Sequence, residues 1–423
     1  MDKILIKSAR VIFPNTPFHG KELDVLLING VIARIEEHIE EGDDLSTTVD
    51  AKGQYLMPGF FDMNVNFGEP GLETKEDLLS GVTAALAGGV TGVAVHPNTH
   101  PPIHSRSEVS LIVNRSVQLP VDVHPIGAIS KHREGGELAE LYDMKLAGAV
   151  AFSDGDKSVQ QAGLMSRALL YSKGFEGLII SNPEDLSVAG GGKMNEGPMS
   201  TYLGMKGNPN LAEALMVARD LYLAEYNDAP IHFTTISTAE SVSLIRNAKA
   251  KGIKVTCDVA VHHLVMTDQL IAGFDSNYKV SPPLRTQADV DALLEGLKDG
   301  TIDAIVSQHT PHEVEYKNVE YQIASEGIIG LQTLLPLALE AGLSVEQLVE
   351  KLAVGPRRIL GLPLPEFREQ APANFMLLDI EKTWRFDATT NRSKSSNSPL
   401  MGKELKGKVT AVVNKHQFVN IHG

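Results

Sequence analysis

Cysteine is almost missing from this sequence: Cys257 is the only one in 423 residues. One thiol excludes an internal disulfide and a cysteine-ligated metal cluster. Long hydrophobic runs are missing too. No apolar stretch reaches the ~18 residues of a membrane span. The opening residues, Met1-Asp2-Lys3-Ile4-Leu5-Ile6-Lys7, lack the apolar core of a signal peptide. Basic charge is in deficit, with 38 Lys plus Arg against 53 Asp plus Glu and a formal charge of -15. That balance argues against a nucleic-acid or anionic-membrane surface. We therefore expect a cytoplasmic protein that binds neither nucleic acid nor membrane. What is present is ordinary for a globular chain, 43% hydrophobic and 22% charged. The length allows one large core plus a smaller unit.

The two ends of the chain read as strands. Ile4–Phe13, Leu23–Ile28 and Val31–Glu36 alternate apolar and polar residues, and Asn29-Gly30 is a strong hairpin signal. Near the other end, Asn374–Leu378, Gly407–Val413 and His416–Ile421 read the same way. Ala388–Pro399, rich in Ser, Asn and Thr, reads as a loop. Residues 1–55 and 366–423 are expected to form one small β domain around residues 56–365, with Trp384 as an anchor.

The middle alternates strand and helix, the signature of a parallel sheet. Eight strand candidates are Gly59–Asn66, Val90–Pro97, Val121–Ile126, Gly148–Ser153, Gly177–Asn182, Pro230–Ile236, Ile253–Val259 and Asp303–Gln308. Helical stretches are Lys75–Ala87, Gly136–Lys145, Ser158–Ser172, Leu211–Glu225, Ala239–Lys251 and Ala288–Lys298. Eight such units favour a (β/α)₈ barrel, whose functional residues sit where the strands end.

At the first strand the chain reads Pro58-Gly59-Phe60-Phe61-Asp62-Met63-Asn64-Val65-Asn66-Phe67-Gly68-Glu69-Pro70-Gly71. This resembles the dihydroorotase motif Pro-Gly-x-x-Asp-x-His-x-His-x-Arg-Glu-Pro-Gly, of the amidohydrolase superfamily. Further segments resemble the family in order: Pro97-Asn98-Thr99, Ala151-Phe152-Ser153-Asp154, Glu184-Asp185-Leu186-Ser187 and Met194-Asn195-Glu196-Gly197. Ser237-Thr238-Ala239, His262-His263-Leu264, Ser281-Pro282-Pro283-Leu284-Arg285 and His309-Thr310-Pro311-His312 continue the series. The resemblance implies a barrel that, in active members, holds zinc and opens a cyclic amide in pyrimidine synthesis.

The same resemblance marks where the chain departs. The family's His-x-His falls on Asn64 and Asn66, and an amide lacks the basic lone pair that zinc requires. The strand-five histidine falls on Asn182, and the strand-six histidine, within a residue, on Thr235. The strand-eight aspartate, ligand and general base in the family, falls on Gln308, which takes no proton at neutral pH. The bridging group falls on Asp154. Gly68 replaces the Arg that grips the substrate carboxylate. Asn98 and His312 match two other carboxylate anchors. The expectation is a non-catalytic homologue with no metal, its mouth rebuilt from neutral polar groups that bond each other.

Other residues read more plainly. His96, His100 and His104, among prolines, read as polar loop residues. His262-His263 reads as a structural pair in a loop and not as a ligand pair, since adjacent strand residues would face opposite ways. His124 reads as a hydrogen-bonded core or rim residue, and Asp62 as a local hydrogen-bond group. A ligand-binding role stays open for His309 and His312. Ala189-Gly190-Gly191-Gly192-Lys193 lacks the Walker spacing and reads as a loop over the mouth. Three functions stand side by side. The first is a structural or regulatory partner of aspartate carbamoyltransferase, a role that non-catalytic members of the family imply, within a homo- or hetero-oligomer. The second is an active amidohydrolase with an unusual metal site at Asp154 and the remaining histidines. The third is a non-hydrolysing binder of small carboxylates through Asn98 and His312.

Overall fold

The structure is a computed structural model that describes residues 2–40, 42 and 45–421. Eight parallel strands follow one another around a barrel: Phe60–Val65, Val90–Val95, Asp122–Gly127, Ala151–Phe152, Ile179–Ser181, Ile231–Phe233, Val255–Ala260 and Ala304–Val306. Val65 pairs with His309 beyond the eighth strand, and the Asn66 amide donates to the His309 carbonyl at 2.9 Å, which closes the ring. The first two strands are buried at every residue, as strands covered on both sides must be. Phe61, Met63, Ala94, Ile126, Ile180, Ala260 and Val306 fill the barrel's centre. A larger apolar layer, including Phe60, Val93, Leu169, Val217 and Ile245, lies between strands and helices.

The second sheet is built from both ends of the chain. Its strands lie in the order Gln417–Asn420, Glu404–Asn414, Phe375–Arg385, Tyr55–Pro58, Lys3–Val11, Glu22–Ile28 and Val31–Glu36, with Thr47–Asp50 paired parallel to Lys3–Val11. Asn29 and Gly30 have φ of 51° and 73°, the left-handed pair that a two-residue hairpin needs. Trp384 donates its indole N–H to the Gly407 carbonyl at 2.9 Å and packs edge-on to Phe386. The sheet takes in Tyr55–Pro58, so the chain passes directly from small sheet to barrel at Gly59.

Several elements differ from the sequence reading. The first barrel helix spans Leu78–Ala87, not Lys75–Ala87. Asp77 caps it by accepting from the Ser80 amide at 2.8 Å, while the Ser80 hydroxyl accepts from the Asp77 amide. Residues 68–76 are thereby left as a strap over the barrel mouth. A helix at Arg106–Ser116 was not foreseen, although Ser105 and Glu108 form its capping box. Leu141–Ala147 begins later than Gly136, because Gly135 and Gly136 precede it in an irregular turn. Ala388–Pro399 is a loop, and it reaches the barrel: Asn397 bonds the Thr310 and Gly327 carbonyls at 2.9 and 3.1 Å. No helix of the described residues is long and apolar enough to cross a membrane.

Candidate functional site

A cavity of ≈ 340 Å³ opens at the C-terminal ends of the strands. It gathers Asn64, Asn66, Gly68, Asn98, Asn182, Thr235, Gln308 and His312, all singled out from sequence. Asn64 and Asn66 enter together because alternate strand residues share a face. Asn64 Nδ2 donates to Thr234 Oγ1 at 3.1 Å, and that hydroxyl donates to Asp258 at 3.1 Å. The other Asp258 oxygen meets His232 Nε2 at 3.0 Å, and His232 Nδ1 lies 2.8 Å from Thr256 Oγ1. A buried polar chain thus runs from the floor into the sixth and seventh strands. Asn66 donates to Thr310 Oγ1 at 2.9 Å and accepts from Asn98 Nδ2 at 2.6 Å. Gln308 donates to the Ser281 carbonyl at 2.7 Å and to Thr235 Oγ1 at 3.1 Å. Its φ of 52° is unusual for a residue other than glycine. Asn182 lines the wall, and its carbonyl accepts from the Ser158 hydroxyl.

Asp154 is not part of the cavity lining. It accepts from the Ser130 amide at 2.9 Å and the Ser130 hydroxyl at 2.5 Å, and Arg133 bonds its carbonyl. Burial, opposed by those bonds and by Arg133, raises its pKa. At Gly68 a Cβ would stand 2.1 Å from the Leu72 carbonyl oxygen, so the strap leaves no room for any side chain there. Asp62 bridges the first and eighth strands, accepting from the amides of Asn64 at 3.0 Å and Ser307 at 3.1 Å. Burial pushes its pKa up to about 6.

The histidines divide differently from the sequence reading. His96 is a correction: it is no solvent-side loop residue. Its amide bonds the Val65 carbonyl at 3.0 Å, its side chain is 2% exposed, and it lines the cavity. Its Nε2 has no partner, and burial lowers its pKa to about 3, which keeps the ring neutral. His100 and His104 do lie in the loop, the His104 ring 4.3 Å from that of His132 and tilted to it. His312 faces the cavity, with Nε2 on the Glu326 carbonyl at 3.0 Å and Nδ1 free; burial brings its pKa to about 4. His309 does not line it: Nε2 meets Glu76 at 3.2 Å, and Nδ1 accepts from the Gly330 amide at 3.1 Å. His124 is half-buried in the third strand, with its ring tilted against that of Phe61. His262 and His263 lie together in a 3₁₀ turn after the seventh strand, both buried, with their rings 4.5 Å apart.

Lys75, Thr234, Ser281, Thr310 and Glu326 line the cavity as well and were missed. Lys75 sits in the strap that the sequence reading placed inside a helix. The capping pair Asp77 and Ser80 was the available signal. The Gly190–Gly192 loop does lie beside the mouth, where Lys193 pairs with Glu326 at 3.3 Å. A zinc site needs three or four His, Cys or carboxylate donors at one point. Among the described residues no three such side chains converge in that way. The groups turned into this cavity are mostly amides and hydroxyls, and they do not fit a zinc pair.

The barrel with a sheet from both chain ends is the fold of solved cyclic-amide hydrolase structures. L-hydantoinase (dihydropyrimidinase) from Arthrobacter aurescens superposes with a TM-score of 0.85 over 100% of this chain and 97% of that one, at 24% identity. Dihydropyrimidinase from Brevibacillus agri NCHU1002 gives 0.80 over 99% and 95%, at 19% identity. Sequence narrows the class. The family model described as Dihydro-orotase-like matches residues 53–241. A dihydroorotase of Geobacter sp. (strain M21) is 44% identical over 421 residues, 98% of this chain and 99% of the relative. One from Acetivibrio thermocellus is 44% identical over 414 residues, 96% of each. The chain belongs to the dihydroorotase-like family of the amidohydrolase superfamily.

Proposed function

We propose that this chain is a non-catalytic member of that family, kept as a structural or regulatory partner of aspartate carbamoyltransferase. One observation carries the reading. Asn64, Asn66, Asn182, Thr235 and Gln308 present neutral groups at the strand ends, and Asn64, Asn66 and Gln308 spend their amide hydrogens on neighbouring side chains and carbonyls. Gln308 cannot act as a base, and no Arg side chain fits at Gly68. The carbamoyltransferase as partner rests on family analogy alone. The test has two arms. Purified protein is assayed for zinc and for dihydroorotate hydrolysis; about two zinc per chain, or turnover lost on Asp154→Ala, would overturn the reading. The chain is then co-expressed with the carbamoyltransferase of the same organism. Co-elution on size exclusion is expected, and separate elution with unchanged carbamoyltransferase stability rejects the partner role.

A second reading is a small-carboxylate binder. It is favoured by Lys75, whose ammonium group lines the same cavity and can pair with a carboxylate. Calorimetry with dihydroorotate distinguishes it: saturable heat lost on Lys75→Met supports binding without turnover.

A further inference from the structure

The helix Asn210–Asn227 runs along the outside of the barrel, between Ala162–Lys173 and Ala239–Ala250. Its inner residues Ala214, Val217, Leu221 and Ala224 are buried. The outer face of such a helix is normally polar. Here it carries Leu211, Leu215, Tyr222 and Tyr226, exposed by 49%, 43%, 74% and 85%. Half-buried Ala218 lies between them. The charges nearby are turned aside or spaced out. Arg219 folds back to donate to the carbonyls of Gln160 and Val159, each at 2.9 Å, and Glu225 stands at the edge of the stripe.

We propose that this face is a contact between two copies of the chain, in which the helix packs antiparallel against itself about a two-fold axis. The stripe is its own complement. An axis between Ala218 and Arg219 sets Leu211 opposite Tyr226 of the partner subunit and Leu215 opposite Tyr222 of the partner subunit. Each pairing joins an aliphatic side chain to an aromatic ring. Glu225 then falls opposite an alanine, Ala212, so no like charges meet. The stripe steps along the helix by four, three, four and four residues, which keeps it on one side, and small Ala218 lets the axes approach to about 8–10 Å. A two-fold contact must be self-complementary in this way. The two tyrosines bury about 300 Å² per copy. Leu170, one turn beyond the Ser166 hydroxyl that accepts from Asn227, widens the apolar patch. The whole comes within reach of the ~1,200 Å² at which specific interfaces begin. The proposal does not depend on the carbamoyltransferase reading.

Light scattering on the full chain at about 100 µM is expected to give twice the 45.7 kDa chain mass. Tyr222→Glu/Tyr226→Glu should give the single mass with an unchanged circular dichroism spectrum. Cys257 is buried, so introduced thiols report alone. Ala218→Cys, beside the axis, should crosslink on mild oxidation. Leu211→Cys should not, because its two copies lie about 22 Å apart along the helices; Leu211→Cys/Tyr226→Cys should. A monomeric wild type, a dimer that survives the glutamates, or Leu211→Cys crosslinking as readily as Ala218→Cys would each overturn the proposal.

Discussion

Gln308 shows how closely the mouth is tailored to neutral groups. Both amide hydrogens are donated, one to the Ser281 carbonyl at 2.7 Å. Gln308→Glu keeps the shape but turns a carboxylate oxygen toward that carbonyl. We expect a loss of about 1–3 kcal/mol in urea unfolding at pH 7, shrinking as pH falls and the carboxyl takes a proton. Equal stability at pH 7 would mean that a cation balances the site. His263 tests the opposite charge. Burial holds its pKa at about 4, with Arg285 adding to the effect and the His262 ring 4.5 Å away. The folded value lies below the unfolded one. The neutral ring's stabilisation is therefore complete above pH 6.5 and is lost as pH falls through 4. The advantage of wild type over His263→Gln should narrow by about 1.4 kcal/mol per pH unit across that window. A gap that is flat with pH would show that the ring protonates equally in both states.

At the scale of elements, the strap over residues 68–76 explains most of what sequence reading missed. Its close turn brings the Leu72 and Glu76 carbonyls onto Gly68, and it delivers Lys75 to the cavity. Gly68→Arg should therefore not regain a carboxylate grip. It should lower stability by about 2 kcal/mol or more, read as a fall in melting temperature, with no gain of dihydroorotate binding by calorimetry. Strand-borne residues were legible because their spacing dictates facing: Asn64 and Asn66 had to enter together. The eight strands and the hairpin at Asn29-Gly30 were legible for the same local reason. Loop-borne residues were not, since Ser281, Thr310 and Glu326 reach the mouth by tertiary folding that no local period encodes. His96 was hidden by its prolines, which mark irregular backbone after it but leave its own place at the strand end intact. The short fourth strand, Ala151–Phe152, was overread because an apolar run does not reveal where pairing stops.

Over the whole molecule, barrel and sheet are joined by buried amides. Asn414 donates to the carbonyls of Thr91 at 3.1 Å and Pro120 at 3.0 Å and to Asp122 at 3.1 Å, while Asn374 bonds both Asn414 and Thr91. The two units should unfold as one. Helical circular dichroism, dominated by the barrel, and Trp384 fluorescence, which reports the sheet, are expected to share a midpoint. Asn414→Ala should lower that midpoint for both probes, at a cost of about 2–3 kcal/mol. Two separated transitions in the wild type would mean that the units fold independently.

The loop from Ala388 to Pro399 leaves the strand that carries Trp384 and ends on the barrel mouth, where Ser393 holds Glu76 and Asn397 holds the His312 amide at 3.0 Å. The molecule thereby carries an optical gauge wired to its own cavity: a guest that shifts His312 pulls on the loop beside the only indole in the chain, and its arrival can be watched as a change in emission without any label.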